Sequence, residues 1–284
     1  MRKVADDMQL PVMTRQLARR IQKVLAASQL NGMLYLQQQA GNPYDIQIKR
    51  YGNATAYMAR AITPAKWWNR LINMEEEDAV YLDDILEFFR TERQLFNIDM
   101  DPTVFTDTLS KLLTERGLYP TTNGTVLYGL PQTAESTLPP GVTIREIDLD
   151  EIDLFLQLWA DGFEFQSGNE TDTIKAIRKG VFSIPGSHLY IAYVRGTPAA
   201  MAGLYIDDGM GYLSGGATLP AFRKRGCHTV LTQRRSLDAA RAGCELILGH
   251  TGAFGSISQN NMERAGLRIA YIMMSWVDGG TYEQ

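Results

Sequence analysis

The chain has 284 residues, 45% of them hydrophobic and 21% charged, which is typical of a globular protein with one large core or two modest ones. Its net charge of -4 argues against nucleic acid as the main partner, because neutralising a phosphate backbone requires an excess of basic side chains. Only two cysteines are present, Cys227 and Cys244, which excludes a disulfide scaffold and an all-cysteine metal site. We interpret both as small buried hydrophobic residues.

The sequence predicts neither a targeting segment nor a metal site. Acidic residues interrupt the apolar positions near the N-terminus, so we expect no secretory signal. No run approaches the roughly 18 apolar residues that a membrane span needs. The three histidines, His188, His228 and His250, have no paired spacing. We therefore expect a cytoplasmic protein that binds no membrane and no metal.

A polar linker at residues 133–141, which contains Pro139 and Pro140, divides the sequence. It predicts an N-terminal α+β domain over residues 1–135 and a second domain over residues 139–284. The first half has no chemical motif, and adjacent Trp67 and Trp68 are interpreted as core or interface residues. Its predicted elements are helices over residues 14–28, 83–90 and 103–115 and strands over residues 45–49 and 125–130.

The second half has a clearer order of elements, set by apolar periodicity and by turn residues. Asp207 and Asp208 are interpreted as part of a hairpin turn. The predicted strands cover residues 142–147, 189–195, 199–206, 212–219, 245–249 and 268–277. The predicted helices cover residues 150–162, 171–180, 227–242 and 258–265.

The most informative stretch is GGATLPAFRKRGCHT, residues 215–229, which leads from a strand into a helix. The first N–H groups of a helix lack intrahelical partners and carry partial positive charge, so a turn of this kind suits a diphosphate. Basic side chains at Arg223, Lys224 and Arg225 add donors beside it. A double glycine in the preceding strand indicates a bulge or a close backbone approach.

These residues resemble the acyl-CoA pyrophosphate loop of the GNAT (N-acetyltransferase) superfamily, Q/R-x-x-G-x-G/A. The match runs from Arg223 through Gly226 and Cys227, whereas His228 stands where the family prefers Gly or Ala. A later segment resembles the family's S-x-x-N-x-x-R-x-G-F form, with Leu267 in place of the aromatic residue; it matches at Ser258, Asn261, Arg264 and Gly266. The resemblance covers residues 142–277.

The resemblance implies a GNAT fold, with a central mixed, mostly antiparallel sheet flanked by helices, beside the N-terminal α+β domain. It also implies an N-acetyltransferase that moves an acetyl group directly from acetyl-CoA to a primary amine within a ternary complex. The acceptor would be a small molecule or amino-acid-like. The residues implied to contact acetyl-CoA are Ala217, Thr218, Leu219, Arg223, Lys224, Arg225, Gly226, Cys227, His228, Thr229 and Asn261.

The catalytic acid and base are less well defined. Many family members carry a tyrosine four residues before the glycine of the last helix, where this chain has Met262. His250 is the preferred base, because it follows a strand at the mouth of the expected slot and histidine suits proton transfer. Glu164, in the loop between the first two helices of the domain, is the competing base. Ser256, Ser258 and His228 are unranked candidate acids.

The first half resembles the helix-rich front of a GNAT domain but has no phosphate loop, so we expect a degenerate repeat that binds no CoA. It would wall the acceptor pocket or mediate a homodimer. An alternative for the whole chain is an acyl-CoA-binding sensor or interaction module with impaired catalysis, motivated by Met262.

Overall fold

The computed structural model describes residues 9–62, 68–92 and 95–279, which form two compact units. Counting described residues only, the N unit comprises residues 15–125, 252–254 and 271–279. The C unit comprises residues 9–14, 126–251 and 255–270. Each unit therefore consists mainly of one half of the sequence and is completed by a segment from the other half.

Both halves contain helices and strands. The first half contains α1 (Arg15–Gln37), β1 (Ile46–Tyr51), β2 (Ala54–Ala59), β3 (Arg70–Ile72), α2 (Leu82–Arg90), β4 (Asn97–Met100), α3 (Asp107–Glu115) and β5 (Leu118–Gly129). The second half contains β6 (Val142–Ile147), α4 (Ile152–Gly162), α5 (Asn169–Phe182), β7 (Ser187–Val194), β8 (Thr197–Asp207), β9 (Met210–Tyr212), β10 (Gly216–Thr218), α6 (Cys227–Arg241), β11 (Leu246–Thr251), α7 (Ile257–Arg264) and β12 (Arg268–Asp278).

In the C unit, the strand order is β5-β11-β9-β8-β7-β6, and β10 pairs with β8. The pairs within β6–β9 are antiparallel, whereas β9 and β11 are parallel. Along β7, Tyr190 packs on one face of the sheet while Leu189 and Ile191 pack on the other. This period of two buries both faces, one against α6 and α7 and one against α4 and α5. The predicted mixed, mostly antiparallel sheet flanked by helices is confirmed.

In the N unit, the strand order is β1-β2-β3-β4-β12. The β1–β2 and β2–β3 pairs are antiparallel and β3 is parallel to β4, which repeats the pattern of β7, β8, β9 and β11. The final strands are exchanged between the halves. Met274 on β12 pairs with Met100 on β4, and β5 lies beside β11 in the C unit. From β1 and from β7 onward, both halves therefore contain three strands, a helix, a strand, a helix and a last strand, with β10 as an additional strand in the second half. Each unit includes the last strand of the other half.

The contact-based division differs from the predicted boundary in the linker at residues 133–141. The chain passes from the N unit to the C unit between Thr125 and Val126, inside β5, and returns between Ala270 and Tyr271, inside β12. A linker signal in the sequence marks where the repeat restarts. The unit to which a strand belongs depends on its pairing, and the end of β5 pairs with β11 of the second half.

Local predictions agree better with the second half than with the first, where β2, β3 and β4 were not predicted, α1 extends to Gln37 and β5 begins at Leu118. The strand predicted over residues 212–219 is wrong as a single element: it is split into β9 and β10, because Gly215 adopts a positive φ of 53°. Helix α3 begins at Asp107 rather than near Thr103, since Thr106 caps it by accepting a hydrogen bond from the Leu109 N–H at 3.2 Å. Trp68 is buried as expected, and Trp67 lies outside the described residues.

Both cysteines are buried and free, as the composition indicated. Within residues 9–62, 68–92 and 95–279, no helix combines the length and the apolar character required to cross a bilayer. The same residues contain no cluster of three or more His, Cys, Asp or Glu side chains suited to a metal ion.

Candidate functional site

A tight backbone turn precedes α6. After the 3-10 turn Pro220–Phe222, Lys224 adopts a φ of 64°, and Gly226 caps the helix in the left-handed conformation with a φ of 81°. The first helical hydrogen bond runs from the Val230 N–H to the Gly226 carbonyl at 3.1 Å. The three preceding N–H groups therefore have no acceptor within the helix, which is the arrangement that suits an anion.

The basic side chains of this turn differ in what they contact. Lys224 and Arg225 are exposed and make no ion pair within the described part of the chain, although Arg225 lies 5.9 Å from the Phe222 ring centre. Arg223 is engaged: its Nη2 donates to Glu164 Oε2 at 2.8 Å and to the Gly162 carbonyl at 3.1 Å. Two cations are thus free for a phosphate, and the third ties the turn to the loop after α4.

Cys227 and His228 are the first two residues of α6. They could contact a ligand through their backbone N–H groups, because neither side chain carries a positive charge near pH 7. The Cys227 side chain is in the core, and burial raises the pKa of its thiol. Burial, assisted by the nearby Arg235 charge, lowers the pKa of His228 to about 4. His228 is therefore neutral near pH 7 and adds no positive charge for a phosphate. Thr229 is exposed in the same turn of the helix.

The strands before this turn separate. The Leu213 N–H still bonds to the Leu248 carbonyl of β11 at 2.9 Å, but the Ser214 carbonyl accepts from Gly203 of β8 at 2.8 Å. The chain thus leaves β11 at Ser214 and continues as β10, whose strand partner among the described residues is β8. A gap opens between β10 and the end of β11. Ala217 is buried there, while Thr218 and Leu219 are half-buried.

Arg235 of α6 supports this separation and was missed by the sequence analysis. It is 1% exposed, and its Nη1 donates to the Gly203 carbonyl at 2.8 Å and to the Gly215 carbonyl at 3.1 Å. Burial lowers its pKa to about 10. A signal existed in the spacing: buried Leu231 and Ala239 lie four residues to either side, so position 235 faces inward.

The predicted catalytic residues lie on two different elements of the C unit. His250 is half-buried on β11, beyond the point where β9 ends its pairing with that strand. Glu164 is exposed in the loop after α4 with a φ of 60°, and its carboxylate forms an ion pair with Arg223. The structure places His250 at the gap and Glu164 against the phosphate turn.

The last helix contributes packing at the position where a tyrosine would stand. Met262 is 5% exposed, and a Cβ added to Gly249 would lie 2.3 Å from its sulfur. Of the candidate acids, Ser256 caps α7 by accepting from the Gln259 N–H at 3.2 Å. Asn261, predicted to contact the cofactor, accepts a hydrogen bond from Arg264 at 3.1 Å. Ser258 is half-buried in the first turn of the helix.

An aromatic cluster lies beside Glu164 and also went unnoticed in the sequence. The rings of Phe163 and Phe165 lie 5.7 and 4.9 Å from the buried ring of Trp159, although both are more than 40% exposed. The sequence WADGFEF carries the signal, because a helix-ending glycine flanked by aromatic residues places apolar rings on a loop. This loop presents an apolar surface around the Glu164–Arg223 ion pair.

The corresponding turn of the N unit, between β3 and α2, has the opposite charge. Its sequence from Glu75 to Asp78 is acidic throughout. The Asp78 carboxylate is buried and accepts from the N–H groups of Asn53 at 3.0 Å and Glu75 at 2.9 Å. The Asp78 carboxylate therefore already accepts from the Glu75 N–H of this turn, and the acidic turn is unsuited to a diphosphate.

Comparison with known proteins identifies the fold. No protein-family model and no curated protein matches the sequence. A solved GCN5-related N-acetyltransferase from Kribbella flavida is similar with a TM-score of 0.66 and 18% identity, over 94% of this chain and 97% of that one. A tandem GNAT protein from the clavulanic acid biosynthesis pathway gives 0.62 and 10%, over 95% and 96%.

A GCN5-related N-acetyltransferase from Sphaerobacter thermophilus is similar with a TM-score of 0.54 and 12% identity, over 95% of this chain and 96% of that one. These similarities extend over both halves of the sequence. The chain therefore has the GNAT acetyltransferase fold, and one of the proteins that share it along nearly its whole length is a tandem GNAT protein.

Proposed function

We propose that the protein is an N-acetyltransferase that transfers an acetyl group from acetyl-CoA directly to a primary amine of a small-molecule or amino-acid-like acceptor. The observation that carries the proposal is the turn at residues 223–228: a helix N-terminus, capped by left-handed Gly226, lies beside the free cations Lys224 and Arg225. The strand before this turn separates from its neighbour and leaves a gap, which suits the pantetheine arm of an acyl-CoA.

The residues present fit this co-substrate. The N–H groups of Cys227, His228 and Thr229 and the Lys224 and Arg225 side chains would hold its diphosphate. The edge of β10 at Ala217, Thr218 and Leu219 is the surface for its pantetheine arm, because the opposite edge is already paired with β8. Bound acetyl-CoA supplies the thioester that is cleaved.

The remaining chemistry is attack by an amine and departure of a thiolate. The neutral amine nitrogen forms a bond to the thioester carbonyl carbon, the C–S bond breaks, and the thiolate leaves as CoA. A backbone N–H of β10 would stabilise the negative charge on the carbonyl oxygen. The proton that the amine loses must go to a base at the gap. We assign this base to His250, since Glu164 is engaged by Arg223.

We assign no acid to protonate the thiolate: Met262 stands at the tyrosine position and Ser256 caps α7, and nothing ranks the other candidates, Ser258 and His228. A CoA thiolate does not require a residue for this, since water at an open gap can protonate it. The reaction therefore requires one side chain, the base His250, and no side chain that acts as an acid.

A thiol-release assay tests the proposal. The full chain is mixed with acetyl-CoA and, one at a time, with a panel of primary amines and free amino acids, and free CoA thiol is measured with a chromogenic disulfide. We expect acceptor-dependent thiol release with one chemical class of amine. Acetyl-CoA binding without release for any acceptor would contradict an enzyme.

The buried Met262 specifically favours a second candidate, an acyl-CoA-binding sensor or interaction module that does not turn over. Such a protein would bind acetyl-CoA at the same turn and release no thiol. The panel separates the two functions, because they share the binding step and differ only in acceptor-dependent release.

A further inference from the structure

The N unit contains a cavity that the proposed acetyl transfer does not use. It measures about 200 Å³, far above the roughly 10–15 Å³ that a single water needs. It lies where the parallel strands β3 and β4 end, lined by the residues that follow them and by one face of α1. Met74 and Val104 give it buried apolar walls. A ligand of several heavy atoms fits this space.

Two buried polar side chains on the cavity wall have unused hydrogen-bonding capacity. Gln22 is 5% exposed; its Oε1 accepts from the Tyr271 hydroxyl at 3.1 Å, and its amide nitrogen has no partner within the described residues. Asp101 is also 5% exposed; its Oδ1 accepts from the Thr103 N–H at 2.7 Å. Its Oδ2 bonds to no described residue. Both atoms belong to side chains that line the cavity, so the cavity presents one donor and one acceptor to a ligand.

Of the two basic side chains at the cavity, Arg19 is ion-paired with a described residue and Lys23 is not. Arg19 is neutralised, because it forms an ion pair with Glu75 at 2.9 Å and donates to Thr103 Oγ1 at 3.1 Å. Lys23, one helical turn further along the same face of α1, makes no ion pair with any described residue. The cavity therefore offers one free ammonium and one free carboxyl group.

We propose that this cavity binds a small zwitterion of the α-amino-acid type. The ligand ammonium pairs with Asp101, its carboxylate accepts from the Gln22 amide and the Lys23 ammonium, and its side chain packs against Met74 and Val104. An acyl-CoA is not the ligand, because the adjacent turn is acidic and Asp78 already accepts from the Glu75 N–H in it. The inference is independent of acetyl transfer in the C unit.

Calorimetric titration of the full chain tests this inference, with the standard L-amino acids added one at a time and no acetyl-CoA present. We expect at least one to bind, and its decarboxylated amine and its deaminated acid to bind at least about tenfold more weakly, since each loses a charge-assisted hydrogen bond. Failure of all of them to bind, or equal binding of the amine or the acid alone, would overturn the inference.

Asp101→Asn keeps the shape of the side chain and removes its charge, so we expect it to weaken binding at least about tenfold. Asp84→Asn, an exposed acid on α2, is the matched control and should leave binding unchanged. Should Asp101→Asn not fold by circular dichroism, exposed Lys23→Ala serves, with a severalfold loss expected. Binding that survives the cavity variant but is lost in His250→Ala would place the amino acid in the C unit and overturn the inference.

Discussion

The Arg223 guanidinium joins the two functional loops of the C unit through its 2.8 Å contact with the Glu164 carboxylate. Arg223 begins the turn that would hold the diphosphate, and Glu164 lies in the loop after α4, where an acceptor would be expected. The same guanidinium also bonds to the Gly162 carbonyl at 3.1 Å. One side chain thus connects the turn proposed to hold the diphosphate with the loop after α4.

We expect Glu164→Gln to tighten acetyl-CoA binding, because it breaks the ion pair with Arg223 and removes a negative charge near the proposed diphosphate site. The pair is about half exposed, so its contribution is about 1 kcal/mol or less, equivalent to about fivefold in Kd. Calorimetry with acetyl-CoA measures this directly. Exposed Glu135→Gln, which breaks an ion pair with Arg241 instead, is the control and should not alter the Kd. Weaker binding by Glu164→Gln would contradict the assigned role of the contact.

Replacing His250 separates the two candidate bases. We expect His250→Gln to lower kcat by about 10²–10⁴-fold, since that is the usual contribution of a general base, while acetyl-CoA affinity stays unchanged. Glu164→Gln should retain most of its kcat. The pH dependence of kcat should lose its acid limb in the His250 variant. A full kcat in His250→Gln together with a collapsed kcat in Glu164→Gln would transfer the role to Glu164.

Gly226→Ala should weaken acetyl-CoA binding, because Gly226 adopts a φ of 81° and an added Cβ would lie 3.1 Å from Pro139. The matched control is Gly243→Ala after the same helix, which has the same φ of 81° but no neighbour within 4 Å of the added atom. Both should lose about 1 kcal/mol of stability from backbone strain. A similar Kd for the two variants would show that the phosphate does not bind at this turn.

His228 should make the C unit sensitive to acid. Its pKa is lowered to about 4 when folded, from 6.5 when unfolded, so between these pH values the unfolded chain binds a proton that the folded chain does not. Stability therefore falls as the pH drops from about 6.5 to 4, by up to about 3 kcal/mol. Urea unfolding of His228→Gln should show a weaker loss over this range. The exposed His188→Gln, as control, should retain it; equal slopes for both variants would contradict this account.

Local sequence chemistry predicted the parts of the site that depend on neighbouring residues. The turn at residues 223–228 could be recognised because basic side chains, a glycine and a following amphipathic helix are contiguous. The strands of the C unit could be recognised from alternation alone. Two departures had a local cause: Gly215 splits the predicted strand, and Thr106 sets the start of α3.

Features made by distant residues could not be predicted in this way. Glu164 and Arg223 are 59 positions apart, and nothing in either neighbourhood indicates the other. The exchange of β5 and β12 depends on strand pairing, which a single strand's pattern does not specify. The acidic run Glu75–Asp78 can be read directly from the sequence. That it occupies the turn corresponding to residues 223–228 could be seen only in the structure.

The central claim is that acetyl-CoA binds at the turn before α6 and is used there. Calorimetric titration of acetyl-CoA into the full chain tests it most directly, with Gly226→Ala and Gly243→Ala titrated in parallel. We predict one site per chain, because the corresponding turn of the N unit is acidic, and a loss of affinity in Gly226→Ala alone. No binding, a second site of similar affinity, or binding unaffected by Gly226→Ala would contradict it.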